Sequence, residues 1–152
     1  DELRDARPDI VFTTDIIVGF PGETDEDFEQ TMSLMDAVGF QGSFSFKYSP
    51  RPGTPALKLL KDEVPPEVAQ ARLVRLQARQ RELALQANQE MVGEQHRVLV
   101  EGPSRHDEGV ICGRTSTFKM INFPGSLQLV GQTVPVEVIR GFTNSLRGEM
   151  SV

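Results

Sequence analysis

Side chains that ligate metals or cross-link chains are scarce in this sequence. It has one cysteine, Cys112, which excludes an internal disulfide framework and any multi-cysteine metal site built from these residues alone. Its two histidines, His96 and His106, do not suffice for a self-contained zinc site, so no metal ligand is predicted. No apolar run approaches the roughly 18 residues needed to span a bilayer. No charged-then-apolar leader opens the chain. A soluble cytoplasmic protein without membrane contact is predicted. The opening Asp1-Glu2-Leu3-Arg4-Asp5-Ala6-Arg7-Pro8 reads as the end of a helix entered partway, so the chain is expected to be the C-terminal part of a longer protein.

With 152 residues, 38% of them apolar, the chain can bury a sizeable core and has the length of one ordinary domain or slightly more. The net charge of −6 is unevenly spread. Residues 1–40 carry 11 acids and 2 bases, whereas residues 41–152 carry 11 acids and 14 bases. Any nucleic-acid footprint is therefore expected in the later part. The acidic block itself reads as a solvated surface.

The first part reads as strand, helix, strand. Residues 10–20 form a nearly continuous β-branched and aromatic run, as in a parallel strand covered on both faces. Pro21-Gly22 ends it. Thr24 is placed to cap a helix whose first turn holds Asp25, Glu26 and Asp27, where the helix dipole favours negative charge. Phe28, Met32, Met35 and Val38 share one face, and Gly39 is placed to stop the helix. Residues 43–48 read as the second strand of a βαβ unit. Ser49-Pro50-Arg51-Pro52-Gly53-Thr54-Pro55 is then a stiff loop that cannot pair. Ligands of parallel sheets sit beyond the carboxyl ends of the strands, so this loop and the turn at residues 20–24 are expected to share one rim.

Pro65-Pro66-Glu67 opens a helix expected to run to about Gln89 or Val92 and to end at Gly93. Some 25 residues make it roughly 40 Å long. Its Arg72, Arg75, Arg79 and Arg81 read as a solvated face, with contact to nucleic acid as the alternative. Beyond Gln95 the texture changes to short strands, at residues 97–101, 109–113, 118–123, 128–130 and 134–139, with 143–149 closing the set. That spacing predicts a compact antiparallel five-stranded barrel of the oligonucleotide-binding type. Residues 113–123 place Arg114, Lys119, Asn122 and several hydroxyls beside Phe118 and Phe123. Cations there suit phosphate, and an exposed ring could stack on a base; the alternative is that both rings are core. Alternation along the strand sets Lys119 and Asn122 on opposite faces, which leaves Asn122 the weaker candidate.

The string Thr14-Asp15-Ile16-Ile17-Val18-Gly19-Phe20-Pro21-Gly22-Glu23-Thr24, followed by Phe28 and by Tyr48-Ser49-Pro50-Arg51-Pro52-Gly53-Thr54-Pro55-Ala56, resembles the radical S-adenosylmethionine methylthiotransferases. The small barrel after the long helix is similar to their TRAM domain, and the likeness covers essentially the whole chain. The resemblance implies an α/β part followed by an all-β part. Residues 1–92 would form the last βα units of a partial (β/α) radical SAM barrel plus a linker helix, and residues 93–152 a five-stranded, OB-like TRAM domain that binds RNA.

Gly113-Arg114-Thr115 leading to Asn122-Phe123 resembles the tRNA-modifying branch, which adds a methylthio group to position 2 of isopentenylated adenosine beside the anticodon. Relatives acting on threonylcarbamoyl-adenosine of tRNA, or on a ribosomal protein, are alternatives. A non-catalytic RNA-binding module is another. The resemblance also implies S-adenosylmethionine and two [4Fe–4S] clusters in a full-length parent, with tRNA and the parent's N-terminal domains as partners. The family's cluster ligands are cysteines that this chain does not contain, and Cys112 reads as a buried structural thiol, so the chain alone is expected to be inactive. Asp15 matches an acidic position that contacts the cofactor's ribose, the alternative being a local cap. Arg51 could bind the cofactor carboxylate or an RNA phosphate. Arg114, Lys119 and Asn122 are the RNA candidates, and no catalytic residue is assigned.

Overall fold

The computed structural model describes residues 2–59, 63–105 and 107–151. His106 therefore lies outside the described residues. The chain divides into two compact units, Val11–Leu83 and Asp1–Ile10 with Ala84–Val152. No described helix is long and apolar enough to cross a membrane. A short helix, α1 (Glu2–Ala6), opens the chain.

In the unit Val11–Leu83, strand β1 (Thr13–Val18) pairs in parallel with β2 (Gly42–Lys47), Thr13 opposite Gly42 and Val18 opposite Lys47. Helix α2 (Asp25–Val38) connects them. The expected cap at Thr24 is present and is a reciprocal capping box: the Thr24 hydroxyl accepts from the Asp27 N–H, and the Asp27 carboxylate accepts from the Thr24 N–H. Gly39, at φ +64°, closes the helix in the left-handed conformation. A short helix, α3 (Ala56–Leu59), follows the proline loop, and α4 (Pro66–Glu90) contributes its residues up to Leu83 to this unit.

Val18, Phe28, Met32, Met35 and Leu76 form the core of this unit, with Ile16, Phe40, Leu73 and Leu83 packed at its margin. Only one sheet face is covered by described residues. The other carries Asp15 and the exposed side chains of Ile17, Phe44 and Phe46. The expectation of a strand buried on both faces is thus corrected, since the apolar run has a helical layer on one side alone.

Of the α4 arginines expected on a solvated face, Arg75 and Arg81 are exposed and Arg79 is half-exposed, but Arg72 is buried. Arg72 is 7% exposed; it donates to the Glu23 carboxylate at 2.6 Å, to the Glu23 carbonyl at 3.2 Å and to Asp25 at 2.6 Å. Arg75 pairs with Glu29, and Arg79 with Asp36 and Glu82. Four of the eleven acids in residues 1–40, namely Glu23, Asp25, Glu29 and Asp36, are thus counter-charges of α4, and of these only Glu23 is largely withdrawn from solvent. Glu23 also accepts from the Gly19 N–H at 2.7 Å, which fastens the glycine turn to the same guanidinium. Gly19 sits at φ +70°, and a Cβ there would lie 2.6 Å from that of Ala69, so only glycine fits.

The unit containing Ala84–Val152 is a closed barrel. Its strands are β3 (Gln95–Pro103), β4 (Val110–Arg114), β5 (Met120–Pro124), β6 (Thr133–Gly141) and β7 (Leu146–Met150), in the ring order β3-β4-β5-β7-β6. Four pairings are antiparallel, but β5 and β7 run parallel, with Asn122 beside Arg147. The expected all-antiparallel barrel is corrected here for a topological reason: a ring with an odd number of strands cannot alternate direction all the way round. Val98, Val100, Ile111, Ile121, Phe123, Val134, Val136, Val138 and Leu146 fill the interior, as the alternation along β3 and β6 requires.

The strand expected at residues 128–130 is instead a 3-10 turn, Leu127–Leu129. Ser126 caps it by accepting from the Gln128 N–H, and such local side-chain bonding competes with ladder pairing. The strand expected to begin at Phe118 begins at Met120, and the one expected from residue 143 begins at Leu146.

The end of α4 is bound to the barrel through Asn88. Buried among side chains, its amide donates to the carbonyls of Phe142 (2.5 Å) and Thr143 (3.3 Å). Gly141 lies so close beneath that a Cβ would sit 2.3 Å from the Asn88 carbonyl oxygen. The Gly93 N–H, just past the helix end, donates to Val138 at 2.8 Å.

Three substitutions test this packing. Arg72→Ala leaves Glu23 buried without its partner and should cost about 3 kcal/mol, the low end for a broken buried pair because Asp25 remains solvated. Arg75→Ala, in an exposed pair, should change thermal unfolding little. Asn88→Ala removes the donor to two carbonyls and should cost about 1–3 kcal/mol. Urea denaturation monitored by hydrogen exchange of the β6 and β7 amides reads that loss directly, and an unchanged midpoint would contradict it.

Candidate nucleic-acid interface

The barrel presents two polar features, a turn and a groove. The turn connects β4 to β5. Thr115, buried, donates its N–H to the Lys119 carbonyl and accepts from the Phe118 N–H, each at 3.0 Å. Its hydroxyl accepts from the Lys119 N–H at 3.1 Å and meets that of Thr117 at 3.1 Å. Arg114 ties the outside of the turn, donating to Glu101 at 3.0 Å and to the Phe118 carbonyl at 3.3 Å. Within this net Phe118 has φ +64°, the one left-handed non-glycine among the described residues, and its ring is 78% exposed. The two phenylalanines read together from the sequence therefore part: Phe123 is core, and Phe118 is in water. Lys119 is half-buried, and burial pushes its ammonium pKa below the usual lysine value.

The groove has a volume of about 860 Å³ and is lined by Leu85, Ser104, Asp107, Asn122 and the segment from Ile139 through Arg147. The Arg140 guanidinium lies 4.9 Å from the ring centre of Phe142, a cation–π geometry that holds both groups at the wall. Arg147 donates to Asp107 at 3.0 Å. Asn122 thus keeps company with Arg140, Phe142 and Arg147, not with Arg114 and Lys119. The latter three groove residues were not singled out from the sequence. What joins them to Asn122 is the parallel β5–β7 pair, which leaves no local signal. A groove with two guanidiniums, a ring, an amide and hydroxyls can take up phosphates and the face of a base.

In the other unit, the proline loop and the glycine turn share one rim. Phe20 and Tyr48 meet edge to face, ring centres 5.0 Å apart, and Arg51 borders a concavity of about 580 Å³ with Ile17, Phe20, Phe46, Tyr48 and Ala56. Thr54 donates its hydroxyl to the Arg51 carbonyl at 2.8 Å, which tightens the loop. Asp15 is not part of this lining. It stands exposed on the same sheet face as Ile17, two residues upstream, roughly 7 Å along the strand.

Cys112 is half-buried rather than buried, its thiol 3.5 Å from the Pro103 carbonyl. Among the described residues no group of three or more His, Cys, Asp or Glu side chains is placed to hold a metal ion.

The left-handed backbone at Phe118 has a measurable consequence. Phe118→Gly relieves strain at an exposed position and should raise the unfolding free energy by about 0.5–1 kcal/mol. Chemical denaturation of the two proteins compares them, and a destabilised glycine variant would mean that the ring packs on the barrel.

A family model for the TRAM domain matches residues 89–151. A tRNA-2-methylthio-N(6)-dimethylallyladenosine synthase of Xanthomonas campestris pv. campestris (strain B100) is 53% identical over 151 residues, 99% of this chain and 31% of that protein. Synthases of the same name from Xanthomonas euvesicatoria pv. vesicatoria (strain 85-10) and Xanthomonas oryzae pv. oryzae (strain PXO99A) are each 52% identical over the same shares. The chain spans about a third of the length of the curated relatives it matches. Residues 89–151 thus form a TRAM domain, and along 99% of its length the chain is similar, at 52–53% identity, to part of these synthases.

Proposed function

We propose that the chain is the RNA-reading barrel and part of the cofactor rim of a tRNA methylthiotransferase acting on position 2 of N(6)-isopentenyladenosine-37. The observation that carries this reading is the 53% identity over 99% of the chain to synthases named for that product. It favours this substrate over threonylcarbamoyl-adenosine or a ribosomal protein. Domain limits at residues 1–92 and 93–152 accompany the proposal, with α4 as connector. The parallel β1–β2 pair is then two strands of a partial (β/α) barrel, and its exposed apolar face is the side that other segments of a parent would cover. A role on tRNA implies the cytoplasm.

The rim suits S-adenosylmethionine. Asp15 would accept hydrogen bonds from the ribose hydroxyls, and Ile17, Phe20 and Phe46 offer an apolar wall to the adenine. Arg51 would pair bidentately with the cofactor carboxylate or with an RNA phosphate. In a full-length parent, the resemblance implies that one [4Fe–4S] cluster would serve to cleave S-adenosylmethionine and the other would take part in sulfur donation. The residues of this chain do not fit a cluster, because cubane clusters take several thiolates and this chain has one cysteine. The chain's own part is to bind and orient. In the barrel, Arg140, Arg147 and Asn122 would hold RNA in the groove, with Phe142 against a base and Arg114 and Lys119 flanking at the β4–β5 turn. Asp107 competes for Arg147, so an RNA phosphate must displace or share that ion pair.

An anticodon stem-loop titrated with the 152-residue chain at several salt concentrations tests this reading. Arg140→Gln with Arg147→Gln should weaken binding and reduce the slope of log affinity against log salt by about 0.7 for each lost phosphate contact in an unpaired strand. An unchanged slope would remove both arginines from the interface. No binding by the wild-type chain would overturn the RNA reading itself.

A further inference from the structure

We infer that Phe118 is a stacking platform for one unpaired base of the RNA held by the barrel; this rests on the RNA reading above and adds the residue that senses single-strandedness. Phe118 is the most exposed large apolar side chain among those described, at 78%. It also occupies a backbone conformation that non-glycine residues avoid. A ring in water repays nothing for that strain within this fold. A strained, exposed residue held by its surroundings is what a ligand contact looks like before the ligand arrives.

The turn beneath the ring is already ordered by the bonds of Thr115, Arg114 and Lys119, so little freedom remains to be lost on binding. Its immediate neighbours are two hydroxyl residues, Ser116 and Thr117, and the cations Arg114 and Lys119. That setting decides the kind of partner. A stable protein contact buries on the order of 800 Å² per partner, far more than a single ring in polar surroundings supplies. One nucleobase, with its phosphate next to a cation, matches both the ring's area and its neighbours. Strand β5 begins two residues after Phe118 and carries Asn122 to the groove, four positions from Phe118 and at most roughly 14 Å along the chain, about four stacked bases at 3.4 Å each. A short unpaired segment would thus reach both features.

The test compares wild type, Phe118→Gly and Phe118→Trp in the 152-residue chain by fluorescence anisotropy. The probes are a labelled anticodon stem-loop and a fully paired duplex RNA of equal length. Glycine accepts the left-handed backbone, so the turn survives the substitution, and thermal unfolding of each variant checks this. Phe118→Gly should bind the stem-loop roughly 5- to 150-fold more weakly, with an unchanged salt slope because no ion pair is lost. It should bind the duplex as the wild type does. Phe118→Trp should keep stem-loop affinity. Equal stem-loop affinity of wild type and Phe118→Gly overturns the inference and leaves the ring for a protein contact. An equal loss on stem-loop and duplex, or an altered salt slope, overturns it too. If the wild type binds neither RNA, the RNA reading fails and this inference with it, a result distinguishable from failure of Phe118 alone.

Discussion

One buried amide, that of Asn88, sets the wall on which the barrel's groove depends. The segment joining β6 to β7 carries Phe142, Thr143, Asn144 and Ser145, all of which line that groove. Two of its carbonyls are taken up by Asn88, and Gly141 allows the helix backbone to come close enough for this. The loop's carbonyls, which would otherwise turn to water, thus bond to the side chain at the helix end. Arg140 and Phe142 flank that anchored point and stack on each other. The groove is thus a consequence of where α4 stops and of which side chain stands in its last turn.

Arg72 plays the corresponding part in the unit Val11–Leu83. Its guanidinium gathers Glu23, Asp25 and, through Glu23, the Gly19 amide, so a single side chain determines the shape of the glycine turn. Burying such a charge is costly unless it is paired and hydrogen-bonded, and here two carboxylates and a carbonyl do that. The shape of this turn in turn positions Phe20 against Tyr48 and the rim that Arg51 borders. In both units a polar residue of α4 orders a loop, and the loop borders a concave surface.

The two surfaces differ in chemical character. The rim near Arg51 is mostly aliphatic and aromatic, with the cations Lys47 and Arg51 in its lining, a chemistry suited to a nucleoside carrying a carboxylate. The barrel groove mixes guanidiniums, amides and hydroxyls around one ring, suited to a polyanion with planar bases. Lys119, half-buried, is less accessible to a phosphate than an exposed cation would be, and burial pushes its pKa below the usual lysine value.

Much of the local architecture was legible in the residues. Thr24 and Gly39 bound α2 because their capping chemistry is local, and the apolar rhythm of residues 66–90 needs only a helical period. Alternation along β3 and β6 marked the inward valines for the same reason. The RNA candidates Arg114, Lys119 and Asn122 were legible as residue types, but their neighbours were not. A period tells a side chain which face it is on, not what faces it. Pairings across more than 40 positions, such as Arg72 with Glu23 and Asn88 with Phe142, therefore emerged only in the tertiary structure. The odd ring that makes β5 and β7 parallel did too, and with it the placing of Asn122 beside Arg147. Phe118 is the clearest division between the two. Sequence determined an aromatic near two cations; only the closing of the turn around Thr115 decided that its backbone would turn left-handed and leave its ring in water.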